Sequence, residues 1–345
     1  MQFSFLVLLV AFALGAGLTT LVRSTALRLG VVDMPDGSRK LHATPTPLLG
    51  GLAIYLAFTT VALGLALFSH RLVGRDVTPL AIGALVLGGA WLMVGGYLDD
   101  RYHLSPKLQL IWPVLAALTA VLAGLGPQVL SSPWGGFWHL SSWQSALLAA
   151  AWLMGMMYTT KLLDGLDGLA TGVGAIGSLI IFALTQFTPF YQPSVGLLAL
   201  ALAGAALGFL VWNWHPAKIF LGEGGSLYLG FMLGVLSIIS GAKIATALLV
   251  MGIPILDVAW VIVRRVFWDK KSLASADRKH LHYRLLDVGL TQRQTVLVLY
   301  SIALSFGIIS LFLGTRGKLA ALALLSLVMI LLAFFLVRRF KKIRF

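Results

Sequence analysis

The residues in this chain best equipped for chemistry stand near its middle, in Lys161-Leu162-Leu163-Asp164-Gly165-Leu166-Asp167-Gly168. Two carboxylates three residues apart sit between an apolar run from Ser145 to Thr160 and another from Leu169 to Phe187. They fall where one helix must end and the next begin. Unpaired carbonyls already make a helix C-terminus partly negative, so carboxylates there need a cation. Lys161 can supply one, and a divalent metal ion another. The glycine after each Asp lets the backbone come close to whatever binds.

Other stretches carry groups of the same kind. Asp99-Asp100-Arg101 closes the third apolar run, with Lys107 just beyond it as a phosphate candidate. Two adjacent carboxylates at a helix end repel each other and the dipole, so keeping both as anions is costly without a cation. One suits a metal while the other takes a proton; the bland alternative is a pair neutralised by Arg101. Arg39, Lys40 and His42 lie in a proline-stiffened segment from Asp33 to Pro47. They can hold phosphate oxygens, or simply anchor the segment at the membrane surface. After Asn213 comes Leu221-Gly222-Glu223-Gly224-Gly225-Ser226. It reads as a glycine-rich loop offering N–H groups to an anion, with Glu223 as a hard oxygen ligand for Mg²⁺. Asp257 lies inside the ninth apolar run after Pro254, either as a functional group or in an ion pair with Arg264. His280 and His282, flanked by Arg278, Lys279 and Arg284, suit a diphosphate or a metal-bound phosphate.

Such groups need a frame, and composition names its class. With 59% hydrophobic and 11% charged residues, the 345-residue chain has too little polar material to cover a water-facing surface. It reads as an all-α, polytopic membrane bundle in one domain, residues 1–345. The absence of cysteine excludes a disulfide framework and a thiolate metal site. No basic segment belongs to a soluble domain, so the net charge of +14 points to topology, anionic lipids or phosphorylated substrates and not to nucleic acid.

Eleven apolar runs are long enough to cross about 30 Å of hydrocarbon. They lie near 3–22, 49–68, 79–98, 108–126, 145–163, 169–187, 195–213, 226–241, 244–263, 295–313 and 319–337. The first has no positive charge ahead of it, so it reads as a span and not a cleaved leader. Arg23 and Arg28 follow it, which sets the N-terminus outside and the C-terminus in the cytoplasm. In that register 21 of the 26 Lys and Arg are cytoplasmic; Arg71, Arg75, Lys243, Arg316 and Lys318 are outside. Eleven of the twelve acids share the cytoplasmic side, with Asp76 alone outside. Acids contribute little to insertion, so their gathering marks a working surface. The largest cytoplasmic loop is expected at about 264–293. The uncharged stretch from Ser131 to Trp143 suits an aromatic interfacial belt.

Taken in order, several segments resemble the motifs of the polyprenyl-phosphate N-acetylhexosamine-1-phosphate transferases across nearly the whole chain. They are Asp33-Met34-Pro35 with Arg39-Lys40-Leu41-His42 and Pro45-Thr46-Pro47, Gly50-Gly51, and Tyr97-Leu98-Asp99-Asp100-Arg101. Leu163 to Ala170, Ala217-Lys218-Ile219-Phe220 and Arg278-Lys279-His280-Leu281-His282 complete them. The last segment is more similar to the bacterial undecaprenyl-phosphate GlcNAc-1-phosphate transferases than to the MurNAc-pentapeptide translocases, whose loop carries consecutive histidines. The resemblance implies a bacterial inner-membrane enzyme with a cytoplasmic active face. It would move GlcNAc-1-phosphate from a UDP-sugar to undecaprenyl phosphate, release UMP, and start an envelope glycan such as lipopolysaccharide or teichoic acid.

The resemblance also implies roles. Asp99 and Asp100 would handle the lipid phosphate, with Asp99 as proton acceptor or nucleophile. Asp164 and Asp167 would serve the diphosphate and nucleotide, Asn213 and Phe220 the uracil, and His282 the donor phosphates. Glu223, Asp99 and Asp164 would hold Mg²⁺ or Mn²⁺. Arg39, Lys40, His42, Lys107, His280 and Arg284 complete the substrate-binding set; membrane lipids and a second copy of the chain are the other expected partners.

This chain departs from the pattern at several positions. Glu223 stands where the family has the Asp of Gly-Asp-x-Gly-Ser, and Tyr158 and Lys161 replace two Asn. Tyr283 replaces the second His of a pair, and Leu48 an Arg. Lys161 is expected to weaken metal binding, with Glu223 pairing with it or holding a displaced ion. Three functional classes remain: an active transferase, a silent relative that binds polyprenyl phosphate or nucleotide as a regulator, and a transporter. A transporter would place its acids mid-membrane, whereas these gather at one face.

Overall fold

The computed structural model describes residues 2–35, 44–132, 134–188, 191–241, 244–264 and 280–343. Arg39, Lys40, His42, Arg278 and Lys279 lie outside them, as do the side chains at 263, 264 and 332–343. In chain order the helices are α1 (Gln2–Leu29), α2 (Gly50–Phe68), α3 (Pro79–Tyr102), α4 (Pro106–Leu122), α5 (Ser142–Leu163), α6 (Leu169–Phe187) and α7 (Pro193–Asn213). They continue with α8 (Gly222–Ile239), α9 (Ile244–Val250), α10 (Gly252–Arg264), α11 (Leu281–Asp287), α12 (Gln292–Phe312) and α13 (Thr315–Ile343). The protein is a polytopic helical membrane protein. Among the described residues eight helices are long and apolar enough to cross a membrane, and nine spans result if α9 and α10 count as one.

Every apolar run lies on a helix, but the ninth is not one straight span. α9 and α10 meet at Met251 with a bend of 79°. Pro254 explains the break: it has no N–H to donate, and its ring collides with the carbonyl four residues back, at Val250, where α9 ends. Helix starts are conventionally built. Thr78 accepts from Ala81 N at 3.1 Å ahead of Pro79, and Ser141/Gln144 and Thr291/Gln294 form capping boxes on α5 and α12.

α6, α7 and α8 are apolar all round because other helices surround them. α8 is the axis. It packs between α2, α3 and α5, and small residues permit the approach: a Cβ on Gly96 would strike Gly224, and one on Gly51 would strike Gly225. Farther along, Tyr228 is fully buried edge-on to Tyr55, with ring centroids 5.6 Å apart. α1 and α12 instead turn Phe5, Leu9, Leu297 and Ile308 outward, where acyl chains would lie.

Two short antiparallel ladders complete the fold. β1 (Val32–Asp33) pairs with β2 (Thr46–Pro47) at the root of the proline-rich segment. That root is stitched to the segment after α7: Phe220 N donates to Pro47 O, and Gly50 N and Gly51 N donate to Phe220 O and Leu221 O, at 2.7–2.9 Å. β3 (Val129–Ser131) pairs with β4 (Phe137–His139), so the aromatic stretch is a hairpin, with Trp134, Phe137, Trp138 and Trp143 exposed.

Candidate active site

The C-terminal ends of α3, α5 and α7 and the N-terminal ends of α4, α6 and α8 meet at one end of the bundle. Asp100 Oδ1 accepts from Glu223 N, in the first turn of α8, at 3.2 Å. Asp99 Oδ1 accepts from Leu104 N at 2.9 Å and from Gln109 Nε2 at 3.0 Å. Gln109 Oε1 in turn accepts from Lys161 Nζ at 3.2 Å. The same ammonium forms an ion pair with Glu223, the two side chains being 24% and 16% exposed. Each partner suits its helix: a cation in the last turn of α5, a carboxylate in the first turn of α8.

Asp100 Oδ2 is buried and has no hydrogen-bond partner. It lies beside Gly222, where a Cβ would come within 2.6 Å of it. The glycines predicted to form an anion-binding loop have a different use. Gly222, at φ +77°, already opens α8, while Gly224 and Gly225 lie in its first turn as packing contacts.

Asp164 caps the end of α5, close enough to Glu223 and Asp167 to feel their charge. Burial first, then those two neighbours, push its carboxyl up to about 7. Asp100 is within electrostatic reach of Asp99, Asp164 and Glu223. Asp167 turns the other way: its Oδ2 lies 2.7 Å from His215 Nδ1 and accepts from Ala217 N at 3.1 Å. Arg293 clasps His215 O through Nε and Nη2 at 3.1 and 2.9 Å. Asn213 is buried: Oδ1 accepts from Gly168 N and Thr171 Oγ1, and Nδ2 donates to Ile219 O. It fastens the start of α6 to the segment that carries Phe220.

A further set arrives from α10 and α11. Asp257 Oδ2 lies 2.8 Å from His280 Nδ1, and Oδ1 accepts from Leu281 N at 2.9 Å. This carboxylate therefore holds the start of α11; the Arg264 side chain proposed for it lies outside the described residues. The His280 and His282 rings stack 5.7 Å apart at 4°. His282 is buried with Nε2 unpartnered, resting on Gly165, where any Cβ would collide with it. Burial drives its imidazole down to about 4 against the opposing pull of Asp257, so near neutrality it is uncharged. The first glycine of the Asp-Gly pair thus makes room for a histidine.

The structure gathers Asp99, Asp100, Asp164, Glu223 and Lys161, with Asp167 and His282 beside them. Lys107 is exposed at the start of α4, and Arg284 is half-buried on α11. Sequence reasoning missed Gln109, His215 and Arg293. Gln109 follows Ser105-Pro106, a helix start, and a polar residue one turn inside an apolar helix was the available signal. Arg293 and His215 meet only through the tertiary fold.

Three carboxylates were expected to hold a divalent ion, and they do not fit a resident one as arranged. Glu223 is closed onto Lys161, and Asp99 Oδ1 is held by Leu104 N and Gln109. An ion bound to Glu223 would face an ammonium at contact distance.

Comparison with known proteins converges on the same region. Residues 82–241, which include every group from Asp99 to Glu223, match glycosyl transferase family 4. The chain is 33% identical over 304 residues to a probable undecaprenyl-phosphate N-acetylglucosaminyl 1-phosphate transferase of Bacillus subtilis, covering 86% of this chain and 81% of that protein. It is 37% identical over 306 residues to the decaprenyl-phosphate N-acetylglucosaminephosphotransferase of Mycolicibacterium smegmatis, covering 81% and 74%. An undecaprenyl-phosphate alpha-N-acetylglucosaminyl 1-phosphate transferase of Thermotoga maritima is 30% identical over 295 residues, covering 85% and 86%.

Proposed function

Because the chain belongs to glycosyl transferase family 4, alongside polyprenyl-phosphate N-acetylglucosamine-1-phosphate transferases, we propose that it transfers GlcNAc-1-phosphate from UDP-GlcNAc to undecaprenyl phosphate. An oxygen of the lipid phosphate attacks the sugar-bearing phosphorus. A new P–O bond forms, the old phosphoanhydride bond breaks, and UMP leaves with the bond's electron pair. The observation that carries the reading is Asp100 Oδ2, buried without a partner among carboxylates at the end of an apolar bundle. That is where a lipid phosphate and a water-soluble diphosphate can meet.

The side chains divide the work. Asp99 and Asp100 align the lipid phosphate and take its proton. Asp164, with a carboxyl near 7, exchanges a proton at working pH. Lys161 opposes the charge that grows on the transferring phosphoryl oxygens. His282 approaches the donor phosphates as a neutral N–H donor. Mg²⁺ or Mn²⁺ enters with the diphosphate, as part of the substrate. In the covalent variant an Asp attacks first and the lipid phosphate resolves an aspartyl-phosphate. UMP exchange into UDP-GlcNAc without lipid phosphate would mark that route.

The site faces the cytoplasm of a bacterial inner membrane, with the N-terminus outside and the C-terminus inside; the 21-to-5 split of Lys and Arg supports this. Protease cleavage of 264–293 only from the outer side of oriented vesicles overturns it. The activity is tested with radiolabelled UDP-GlcNAc and undecaprenyl phosphate. Label should enter the lipid fraction with equimolar UMP. The Lys161–Glu223 pair favours one other reading, a silent relative. Binding of UDP-GlcNAc with no lipid-linked product and no UMP exchange would establish that reading instead.

A further inference from the structure

Three residues of the site, Tyr158, Lys161 and Glu223, come together. Lys161 Nζ pairs with Glu223 and lies 5.7 Å from the centre of the Tyr158 ring. Tyr158 and Lys161 are adjacent on one face of α5, three residues apart, and Glu223 meets them from α8.

We propose that Lys161 is the built-in cation of this site, taking the charge-balancing place of a resident divalent ion among Asp99, Asp100, Asp164 and Glu223. The other bases near these acids do not do this. Arg101 reaches toward Gly30 O, at 3.5 Å, and Lys107 is exposed. Lys161 is anchored from several sides: Glu223 by charge, Gln109 Oε1 by a hydrogen bond at 3.2 Å, and the Tyr158 ring by its π face. Through Gln109 it also sets Asp99, whose Oδ1 the same amide holds at 3.0 Å. The extra methylene of Glu223 over Asp brings its carboxylate out to the ammonium. An ammonium carries three N–H groups. Glu223 and Gln109 take two, which leaves the third for an arriving phosphate oxygen.

The part Lys161 plays in turnover rests on the transferase reading; the charge balance does not. The two are therefore tested apart. The purified full chain, in detergent and without nucleotide, is titrated with Mn²⁺ and free ion is read by its electron paramagnetic resonance signal. The wild type should show no saturable site. Lys161→Asn with Glu223→Asp should bind one Mn²⁺ at least about a hundredfold tighter than the wild type, exceeding the product of the single changes. Mg²⁺ should raise the melting temperature of that double variant and leave the wild type unmoved. One Mn²⁺ per wild-type chain, bound as tightly as in the double variant, overturns the proposal; so does a single tight wild-type site if the variants fail to fold. Loss of the transferase reading would appear separately, as absence of lipid-linked label from the wild type.

Discussion

The acid cluster has two flanks, and they are built differently. On the lysine flank, Asp99, Asp100, Glu223, Gln109 and Lys161 project from the ends of α3, α4, α5 and α8, and α8 is jammed against its neighbours through Gly96–Gly224 and Gly51–Gly225 contacts. On the imidazole flank, His280 and His282 sit at the start of a seven-residue helix tied down by Asp257 and by Tyr283 Oη, which donates to Gly165 O at 3.4 Å. A helix of two turns has little stability of its own. The first flank is therefore preorganised with the bundle, and the second is docked onto it. Changes on the lysine flank should act on turnover or on fold stability. Changes on the imidazole flank should act on how firmly substrate is held.

The largest effect should come from the lysine flank's carboxylate with one open oxygen, Asp100. Asp100→Asn is expected to lower turnover at least about a hundredfold while moving the melting temperature little. Lipid-linked label per minute measures this, and near-normal turnover would remove Asp100 from the mechanism. Next is the ion pair. Glu223→Gln leaves a half-buried ammonium without its nearest counter-charge and should cost about 2 kcal/mol of stability, read by thermal or denaturant unfolding. Lys161→Met added to Glu223→Gln should recover only part of that loss, because Asp99, Asp100 and Asp164 then lose their cation. A double variant worse than the sum of its singles would show that the pair is not the source.

On the docked flank, Asp257→Asn should raise the KM for UDP-GlcNAc about tenfold with kcat within a few-fold, and speed hydrogen exchange across Leu281–Asp287. A kcat collapse with unchanged KM would erase the distinction between the flanks. The smallest effects should be on pH dependence, where two groups pull in opposite directions. His282 is held down at about 4 against an ordinary 6.5, so its contribution to stability is lost as pH falls from about 6.5 toward 4. Asp164 is held up at about 7 against 3.8, so its contribution is lost as pH rises from about 4 to 7. Relative to the wild type, Asp164→Asn should turn the slope of unfolding free energy against pH upward across this window, and His282→Ala should turn it downward, each by roughly 2–4 kcal/mol in total. Changes of the same sign would refute the opposition.

Much of this frame was legible in the sequence, since a membrane helix must satisfy its own backbone and so declares itself as an apolar run. What failed did so for local reasons. Pro254 was read through, although its geometry ends α9 at Val250. Gly222 to Gly225 were read as a loop, because glycine signals turns in water, yet between membrane helices it signals close packing. Asp164, Asp167 and the Asp99–Asp100 pair were legible because carboxylates at helix ends are anomalous wherever they occur. The Lys161–Glu223 pair was foreseeable as one of two outcomes, since both residues broke one pattern. Gln109, His215 and Arg293 were not, because each takes its meaning from partners 10, 48 and 78 residues away.

The glycine contacts along α8 carry a consequence for anyone mapping this protein by mutation. Ala at Gly96 or Gly224 would push α3 off α8 and displace Asp100 and Glu223 together, without altering a single reacting group. A saturation library scored on growth or product would therefore rank these glycines beside the aspartates. Essential positions would outline a zone larger than the chemistry, extending up the helix axis. Separating the two classes requires an abundance measurement in parallel, since a misplaced helix lowers the amount of folded protein and a silenced Asp100 does not.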